Sequence, residues 1–311
     1  MPSGLQNNQV EETSDEWVLY HNNFSLCSRK VRFCLEELGL DYRSEQIDLI
    51  ETGKYEVASK KFLKINPNAT VPVLLHQGRP IYESHEQIYY LIEQSLDKKN
   101  ILPSASDERL IMDYWVEKSS LVGNPLENQD TYAGNCCGPL TFPLFVTMIK
   151  YVNLKEILKG LKSHPMRERV IIFLIFKILG LKVFSRPLPF AKLLQSSFLN
   201  LNKHLYDLEN HLEDQKTPWI VGTDLSLADI SWAAILHRLH ECGWENMLLS
   251  DKPNIKEYYS NLSIKDAFKR AFDSTTHPIL LKGVEDLKHA LKNKSPITEL
   301  HNEIRNNLNE S

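Results

Sequence analysis

A strand, a helix and a second strand follow one another within residues 17–49, and this order constrains the fold more than any other pattern in the chain. The run WVLY at 17–20 is rich in aromatic and β-branched residues, which predicts a buried strand. From about Ser28 to Leu38, apolar residues recur at i, i+3, i+4 and i+7, the stripe of an amphipathic helix, and Gly39 follows where that helix would end. Residues 42–49 read as the second strand. A βαβ unit of this kind predicts two parallel strands joined by a right-handed crossover.

The pattern continues to residue 92. A helical stretch ends near Ile65, before the turn residues 66–70. Residues 71–75 and 80–82 then read as strands joined by a Gln-Gly turn, and a helix begins at Ser84. The predicted order βαβαββα describes a compact α/β domain.

Strand patterns are absent after about residue 106. Leucines at 201, 205, 208 and 212 mark the core-facing side of a helix, and Ser226 with Asp229 forms the pattern of a capping box. We therefore predict an α/β domain followed by an all-α domain. The predicted limits are 1–15 for a disordered N-terminus, 16–97 for the α/β domain, 105–275 for the helical domain and 276–311 for a polar tail, either a solvated helix or a loose segment.

Composition excludes several classes of protein. A net charge of −4 in 311 residues gives no reason to expect a nucleic-acid partner. Five cysteines, an odd number, do not make a disulfide framework and suit a reducing compartment. The first residues have neither a basic start nor an apolar core, so no signal or transit peptide is expected and we predict a cytoplasmic protein. No metal site is expected, because His237, His240 and Cys242 fall on different faces of one helix.

Residues 170–184, VIIFLIFKILGLKVF, form an apolar segment that is too short to span a membrane and carries Lys177 at its centre. A helix packed inside the helical domain is the favoured interpretation. The alternative, a surface that touches a membrane or a partner, is not favoured.

Ser25 and Cys27 lie in the turn between the first strand and the first helix. The positive end of the helix dipole favours the thiolate form of a nearby cysteine, and a hydroxyl there can donate to a thiolate ligand. The alternatives are a helix cap for Ser25 and an inert, small apolar residue for Cys27.

Two further positions suggest ligand binding. Pro72 begins a strand; a cis peptide bond there would leave the Val71 backbone free to pair with an extended peptide ligand, whereas a trans bond would make it a simple strand start. Glu83 and Ser84 precede a helix whose free N–H groups favour a carboxylate. The alternative for Ser84 is a capping box with Gln87.

Four segments together resemble the glutathione S-transferase superfamily: residues 24–42, residues 66–74, Glu83-Ser84, and residues 219–230. The nearest likenesses are the tetrachlorohydroquinone dehalogenase group and the zeta class. Residues 236–244 and 252–259 also resemble the ganglioside-induced differentiation-associated protein family. That family has an apolar C-terminal anchor, whereas the C-terminus here is polar.

The resemblance implies a thioredoxin-like domain with a cis-proline strand, and a helical domain with a long insertion. It implies glutathione as co-substrate and Ser25, seven residues before Arg32, as the group that stabilises its thiolate. Cys27 matches the dehalogenase cysteine that takes part in mixed-disulfide steps. The implied glutathione-binding residues are Thr70, Val71, Pro72, Glu83 and Ser84.

We therefore expect a glutathione transferase, a detoxification enzyme and a homodimer, which activates the thiol of glutathione for attack on a hydrophobic electrophile. The reaction would be conjugation, or thiol-dependent dehalogenation or reduction. The alternative is a weakly catalytic or non-catalytic protein of the same fold that acts through membrane or protein contacts. The sequence leaves open the electrophile, the role of residues 120–195, and whether Ser25 or Cys27 dominates.

Overall fold

Four short strands form the sheet of the N-terminal part in a computed structural model that describes residues 4–95, 101–164, 167–185, 187–274 and 276–309. The strand order is β2-β1-β3-β4. β1 and β2 are parallel, and β3 runs antiparallel to both β1 and β4. The strands are β1 Trp17–His21, β2 Arg43–Gln46, β3 Val73–His76 and β4 Arg79–Ile81.

Helices cover both faces of this sheet: α1 Leu26–Leu38 and α3 Ser84–Gln94 on one, and the short α2 Phe62–Ile65 on the other. Side chains of β3 alternate between the faces, as the pleat of a strand requires. Leu74 joins the core under α1 and α3, whereas Val73 and Leu75 pack with α2. The predicted α/β domain is confirmed.

α1 ends as predicted, because Gly39 takes φ 65°, a left-handed conformation that glycine adopts without steric cost. It begins at Leu26, two residues earlier than the apolar stripe indicates, since Ser25 is its N-cap.

The remainder of the described chain is helical, and no strand follows β4 in those residues. A 3-10 segment, Gly180–Phe184, and a π-helical turn, Lys269–Asp273, lie among the helices. The helices are α4 Ser106–Lys118, α5 Ala133–Leu140, α6 Phe142–Ile149, α7 Leu154–Ser163, α8 Arg167–Leu179, α9 Pro189–Gln215, α10 Leu227–Cys242, α11 Glu245–Leu248, α12 Pro253–Ser263, α13 Asp266–Phe268, α14 Pro278–Lys292 and α15 Pro296–Asn309.

Two local predictions in the helical part are confirmed. The four leucines of α9 are buried. At the start of α10, the Asp229 carboxylate accepts hydrogen bonds from the backbone N–H and the hydroxyl of Ser226, both at 2.7 Å.

The two ends of the chain make more contacts than their polarity predicts. Gln6 and Val10 donate backbone hydrogen bonds to the carbonyls of Pro80 and Gly78, each at 2.9 Å, so residues 6–10 run beside β4. α14 and α15 bury Leu280, Leu287, Ile297, Leu300 and Ile304, so this polar segment, predicted as a solvated helix or a loose tail, forms a packed helix pair. The domain limits given above stay a prediction.

Residues 170–184 form most of α8 and the 3-10 segment after it. Val170, Phe173 and Phe176 are buried, as a packed helix requires, but Ile171 and Ile178 are 51% and 75% exposed. No helix in the described ranges combines the length and apolar character needed to cross a membrane.

Candidate active site

The sheet brings three segments of the chain to one of its ends. Tyr20 pairs with Val73 and Leu74 pairs with Ile81, so the end of β1, the start of β3 and the end of β4 lie side by side. The chain leaves the sheet at that end into the loop before α1 and into the start of α3. It enters the sheet at the same end through the residues before β3. Gln87 ties two of them together, because its amide donates to the carbonyls of Pro72 at 3.0 Å and Ile81 at 2.8 Å.

The loop before α1 is held by the side chain of Asn22. Its amide donates to the carbonyl of Ile47 at 2.8 Å, and its carbonyl oxygen accepts from the backbone N–H of Phe24 at 2.9 Å. Such a turn fixes where the chain enters the helix. Ser25 is therefore presented at the start of α1 by a rigid loop.

Ser25 caps α1, which was the alternative role considered for it. Its hydroxyl oxygen accepts from the backbone N–H of Ser28 at 3.3 Å. A hydroxyl has one proton as well as two acceptor lone pairs, so the cap leaves that proton available. Capping and donation to a thiolate are compatible at this residue.

The peptide bond between Val71 and Pro72 is cis, in agreement with the expected cis-proline strand. Both residues precede β3. Asn66 donates to the carbonyl of Thr70 at 2.9 Å and to its hydroxyl at 3.0 Å, which holds the turn. Within the described residues, the backbone N–H and C=O of Val71 have no hydrogen-bond partner. Both groups are free to pair with an extended peptide.

Glu83 and Ser84 open α3 in an unusual backbone conformation. Glu83 is the N-cap at φ 55°, a region that non-glycine residues seldom adopt, and its side chain makes no capping bond. The suggested capping box of Ser84 with Gln87 is wrong, since Ser84 is the first residue of the helix and Gln87 is engaged elsewhere. The hydroxyl of Ser84 and the first N–H groups of α3 remain for an anion.

Lys30 adds a positive charge that the sequence analysis missed. Only 3% of the residue is exposed, and in the described part of the chain it forms no ion pair or hydrogen bond. Burial lowers the pKa of its ammonium group, an effect that the neighbouring Cys27 opposes. Burial and then the charge of Lys30 lower the pKa of His85, next to Ser84. Lys30 of α1 is thus close enough to Cys27 and to His85 of α3 for its charge to act on both. The sequence signal that could have identified Lys30 is its position three residues after Cys27, because residues three apart on a helix are neighbours.

Three buried arginines fasten this end of the N-terminal part to the helical part. Arg29 forms a bidentate pair with Glu241 of α10, with N–O distances of 2.6 and 2.7 Å. Arg238 donates to the same carboxylate at 3.0 Å and also to the carbonyl of Phe24. Arg32 donates to the carbonyl of Ala271 at 2.8 and 3.0 Å. Arg238 and Glu241 are three residues apart on α10, but the other partners lie more than 200 residues apart along the chain, and no sequence signal links them.

The cysteines differ in accessibility. All five are free thiols; Cys27, on the first turn of α1, is partly exposed, and the other four are buried. Burial raises the pKa of the Cys137 thiol to about 11, which keeps it protonated and unreactive. Across the ranges that the structure describes, no three His, Cys, Asp or Glu side chains come together as a metal-binding group.

Known proteins share this arrangement of domains. The family model "Glutathione S-transferase, N-terminal domain" matches residues 24–94, and "Glutathione S-transferase, C-terminal domain" matches residues 195–270. The chain is 26% identical to the tetrachloro-p-hydroquinone reductive dehalogenase of Sphingobium chlorophenolicum, over 82% of this chain and 95% of the relative. It is also 26% identical to glutathione S-transferase TCHQD of Arabidopsis thaliana, over 81% and 88%.

A third relative is the human ganglioside-induced differentiation-associated protein 1-like 1, 23% identical over 90% of this chain and 80% of the relative. Among solved structures, the beta-etherase LigF of Sphingobium sp. strain SYK-6 superposes with a TM-score of 0.66 at 22% identity, covering 83% of this chain and 99% of that one. A theta-class glutathione S-transferase of Xanthomonas axonopodis pv. citri, solved with glutathione bound, has a TM-score of 0.54 at 17% identity, covering 83% and 97%.

A thioredoxin-like domain with a cis-proline before its third strand, followed by a helical domain, is the glutathione S-transferase fold. The two domain matches occur in the family's order and coincide with the two structural parts. The chain carries the N- and C-terminal glutathione S-transferase domains in this fold, as the four sequence segments predicted.

Proposed function

We propose that this protein binds glutathione at the end of the sheet where α1 and α3 begin, and activates its thiol for attack on an electrophilic small molecule. The observation that supports this most is the set of hydrogen-bonding groups there that have no partner among the described residues. They are the Val71 backbone, the Ser84 hydroxyl and the Ser25 proton. Each group suits a different part of a γ-glutamyl peptide with a central thiol.

In this proposal, the start of α3 with Ser84 binds the γ-glutamyl carboxylate, because helix N-terminal N–H groups and the dipole both favour an anion. The N–H and C=O of Val71 pair with the backbone of the cysteinyl residue, as one strand pairs with another. Thr70 and Pro72 flank Val71 and set its backbone conformation, and Glu83 does the same for the start of α3. The Ser25 hydroxyl donates a hydrogen bond to the glutathione sulfur and stabilises the thiolate, the form that attacks, while the thiol proton leaves to solvent.

The thiolate then forms a bond to an electrophilic carbon while a leaving group, such as halide, departs with the bonding electrons. Two reactions of this kind are considered because one relative is named a glutathione S-transferase and another a reductive dehalogenase: glutathione transfer and reductive dehalogenation. In the second, a cysteine thiolate attacks the glutathione sulfur of the conjugate and forms a mixed disulfide, while the carbon keeps the bonding electrons and takes a proton from water. A second glutathione thiolate then frees the cysteine and leaves as glutathione disulfide. Cys27 is the partly exposed cysteine at the site, so we assign it that role.

Calorimetry with glutathione and S-methylglutathione tests binding, and turnover of 1-chloro-2,4-dinitrobenzene tests activation. We expect both peptides to bind at one site per chain. We expect the turnover of Ser25→Ala to be lower than that of the wild type by about 100-fold or more. Removing one hydrogen-bond donor to a negatively charged reacting atom has an effect of this size in other enzymes.

Ser25→Asp is the matched control for helix capping, because aspartate caps as well as serine but, when ionised, has no proton to donate. It should retain the thermal stability of the wild type and lose turnover as Ser25→Ala does. Wild-type turnover in either variant would contradict the assigned role of Ser25, and absence of glutathione binding would contradict the proposed function.

The second candidate is contact with a membrane surface through α8, favoured by the exposure of Ile171 and Ile178 on the same side of that helix. Flotation with anionic phospholipid vesicles tests it. The double change Ile171→Ser and Ile178→Ser should abolish flotation. Leu281→Ser, at a residue 55% exposed on α14, should not. If the wild-type protein stays with the soluble fraction, this candidate is wrong.

A further inference from the structure

A cleft lies between the two C-terminal helices and the end of α10, and its lining includes none of the candidate active-site residues. Its volume is about 420 Å³, and its lining includes residues of α10, α11, α14 and α15. The family models end at residue 270, so both C-terminal helices lie outside the matched domains. They are nonetheless part of the core, since Thr147 of α6 donates to the carbonyl of Gly283 at 2.8 Å.

Positive charge lines this cleft from two sides. Lys288 and Lys292 are four residues apart on α14 and therefore share one face, and Arg305 faces the cleft from α15. In the described residues, none of these three cations forms an ion pair with a carboxylate. The one acidic residue in the lining, Glu245, is paired with His240. The cleft therefore has a net positive charge.

His301 supplies a buried polar atom without a partner. It is 8% exposed, lines the cleft, and stacks on Trp244 with ring centroids 4.1 Å apart. Its Nε2 is buried and has no hydrogen-bond partner among the described residues. Burial and the nearby Arg305 lower the pKa of His301 to about 4, so the imidazole is neutral at neutral pH and offers one N–H.

An unsatisfied buried polar atom costs free energy unless a partner is supplied, and a bound ligand is one such partner. Leu291 and Met247 add apolar surface to the same lining. Three cations around an apolar floor suit a ligand with a dianionic group on an organic body. An arginine fork and lysine ammonium groups are the usual partners of phosphate oxygens.

We propose that this cleft is a binding site for a small phosphate monoester, separate from the glutathione site. Arg305, Lys288 and Lys292 would contact the phosphoryl oxygens. His301 would contribute a hydrogen bond, and Leu291 and Met247 would contact the organic group. The proposal does not depend on the function of the N-terminal part.

Calorimetric titration of the full-length protein with phenyl phosphate tests it. We expect one molecule bound per chain, and binding weaker by about tenfold or more in Arg305→Gln, since a hydrogen bond between charged groups is lost. Lys282→Gln removes the same charge from α14 outside the cleft and should bind as the wild type does. His301→Phe keeps the stacking ring and should also weaken binding.

Thermal unfolding of each variant shows whether the fold is retained. Arg305 is exposed, so Arg305→Gln should unfold at the wild-type temperature. The proposal is wrong if the wild type does not bind phenyl phosphate, or if Arg305→Gln and Lys282→Gln bind it equally. Glutathione affinity, measured on the same samples, should not change in either variant.

Discussion

At the scale of single residues, Lys30 is the feature that stability alone does not explain. A buried charge without an ion-pair partner destabilises a fold, so such groups occur mainly where function requires them. We expect Lys30→Met to leave the free energy of unfolding unchanged or higher, because an unpaired charge is removed. Glutathione affinity should fall about tenfold, because the positive charge of Lys30 is lost.

Urea unfolding and calorimetry on the same samples separate these two effects. Lys282→Met, at an exposed lysine of α14, serves as the control and should change neither quantity. If Lys30→Met lowers stability and leaves glutathione affinity intact, Lys30 is structural and its assignment to the site is wrong.

Cys27 makes a separate prediction at the same scale. Exposure to glutathione disulfide should place one glutathione on the protein: the Cys27 thiolate attacks one sulfur of the disulfide, and one glutathione thiolate leaves. The four buried cysteines should not react. Mass spectrometry of wild type and Cys27→Ser is the measurement, with one adduct expected in the first and none in the second. An adduct mapped to another cysteine would count against this role.

At the scale of elements, the contact between α1 and α10 depends on Glu241. Although burial opposes ionisation, the charge and hydrogen bonds of Arg29, together with Arg238, hold the pKa of this carboxyl well below its ordinary value. Glu241→Gln would leave two buried guanidinium groups without a charge partner. We expect a loss of about 3–5 kcal/mol in unfolding free energy.

Equilibrium unfolding in urea measures this loss at neutral pH. Asp266→Asn makes the same chemical change in an exposed ion pair with Lys269, in which Asp266 is 86% exposed, and should cost less than about 1 kcal/mol. Because the folded-state pKa of Glu241 is depressed, its contribution is present above the unfolded-state pKa and is lost as pH falls below it. Similar losses in the two variants would show that the pair does not hold α1 against α10.

At the scale of the whole molecule, buried imidazoles should set the stability at mildly acidic pH. Burial, and the charge of a neighbouring arginine, lower the pKa of His21 and of His237 to about 3, and that of His301 to about 4. The unfolded chain therefore binds more protons than the fold below about pH 6.5. Each of these groups lowers the free energy of unfolding of the protein by up to about 1.4 kcal/mol per pH unit as the pH falls toward the folded-state pKa of that group.

Urea unfolding between about pH 7 and about pH 5 measures that slope. His21→Asn should make the slope of unfolding free energy against pH smaller, because one buried imidazole is removed. His289→Asn, at an exposed residue, is the control and should leave the slope unchanged. A slope that is the same in His21→Asn and the wild type would contradict this account.

Several features of the fold were predicted because they depend on neighbours within one or two turns of chain. The strand and helix order to residue 92, the left-handed Gly39 and the capping box of Ser226 with Asp229 are of this kind. The cis-proline was implied by resemblance alone, since residues 70–72 by themselves suit either isomer. The candidate residues at the site were likewise named from helix starts and turns.

What the sequence by itself determined is therefore local: the order of strands and helices up to residue 92, two helices of the helical part, and that Ser25, Val71 and Ser84 come at the ends of such elements. Only the tertiary structure decided which distant surfaces meet. It buried Lys30, joined Arg29 to Glu241, and turned a polar C-terminal segment into two packed helices. The physical reason is that periodicity and capping act between near neighbours, whereas burial and charge pairing depend on contacts between residues far apart in the chain.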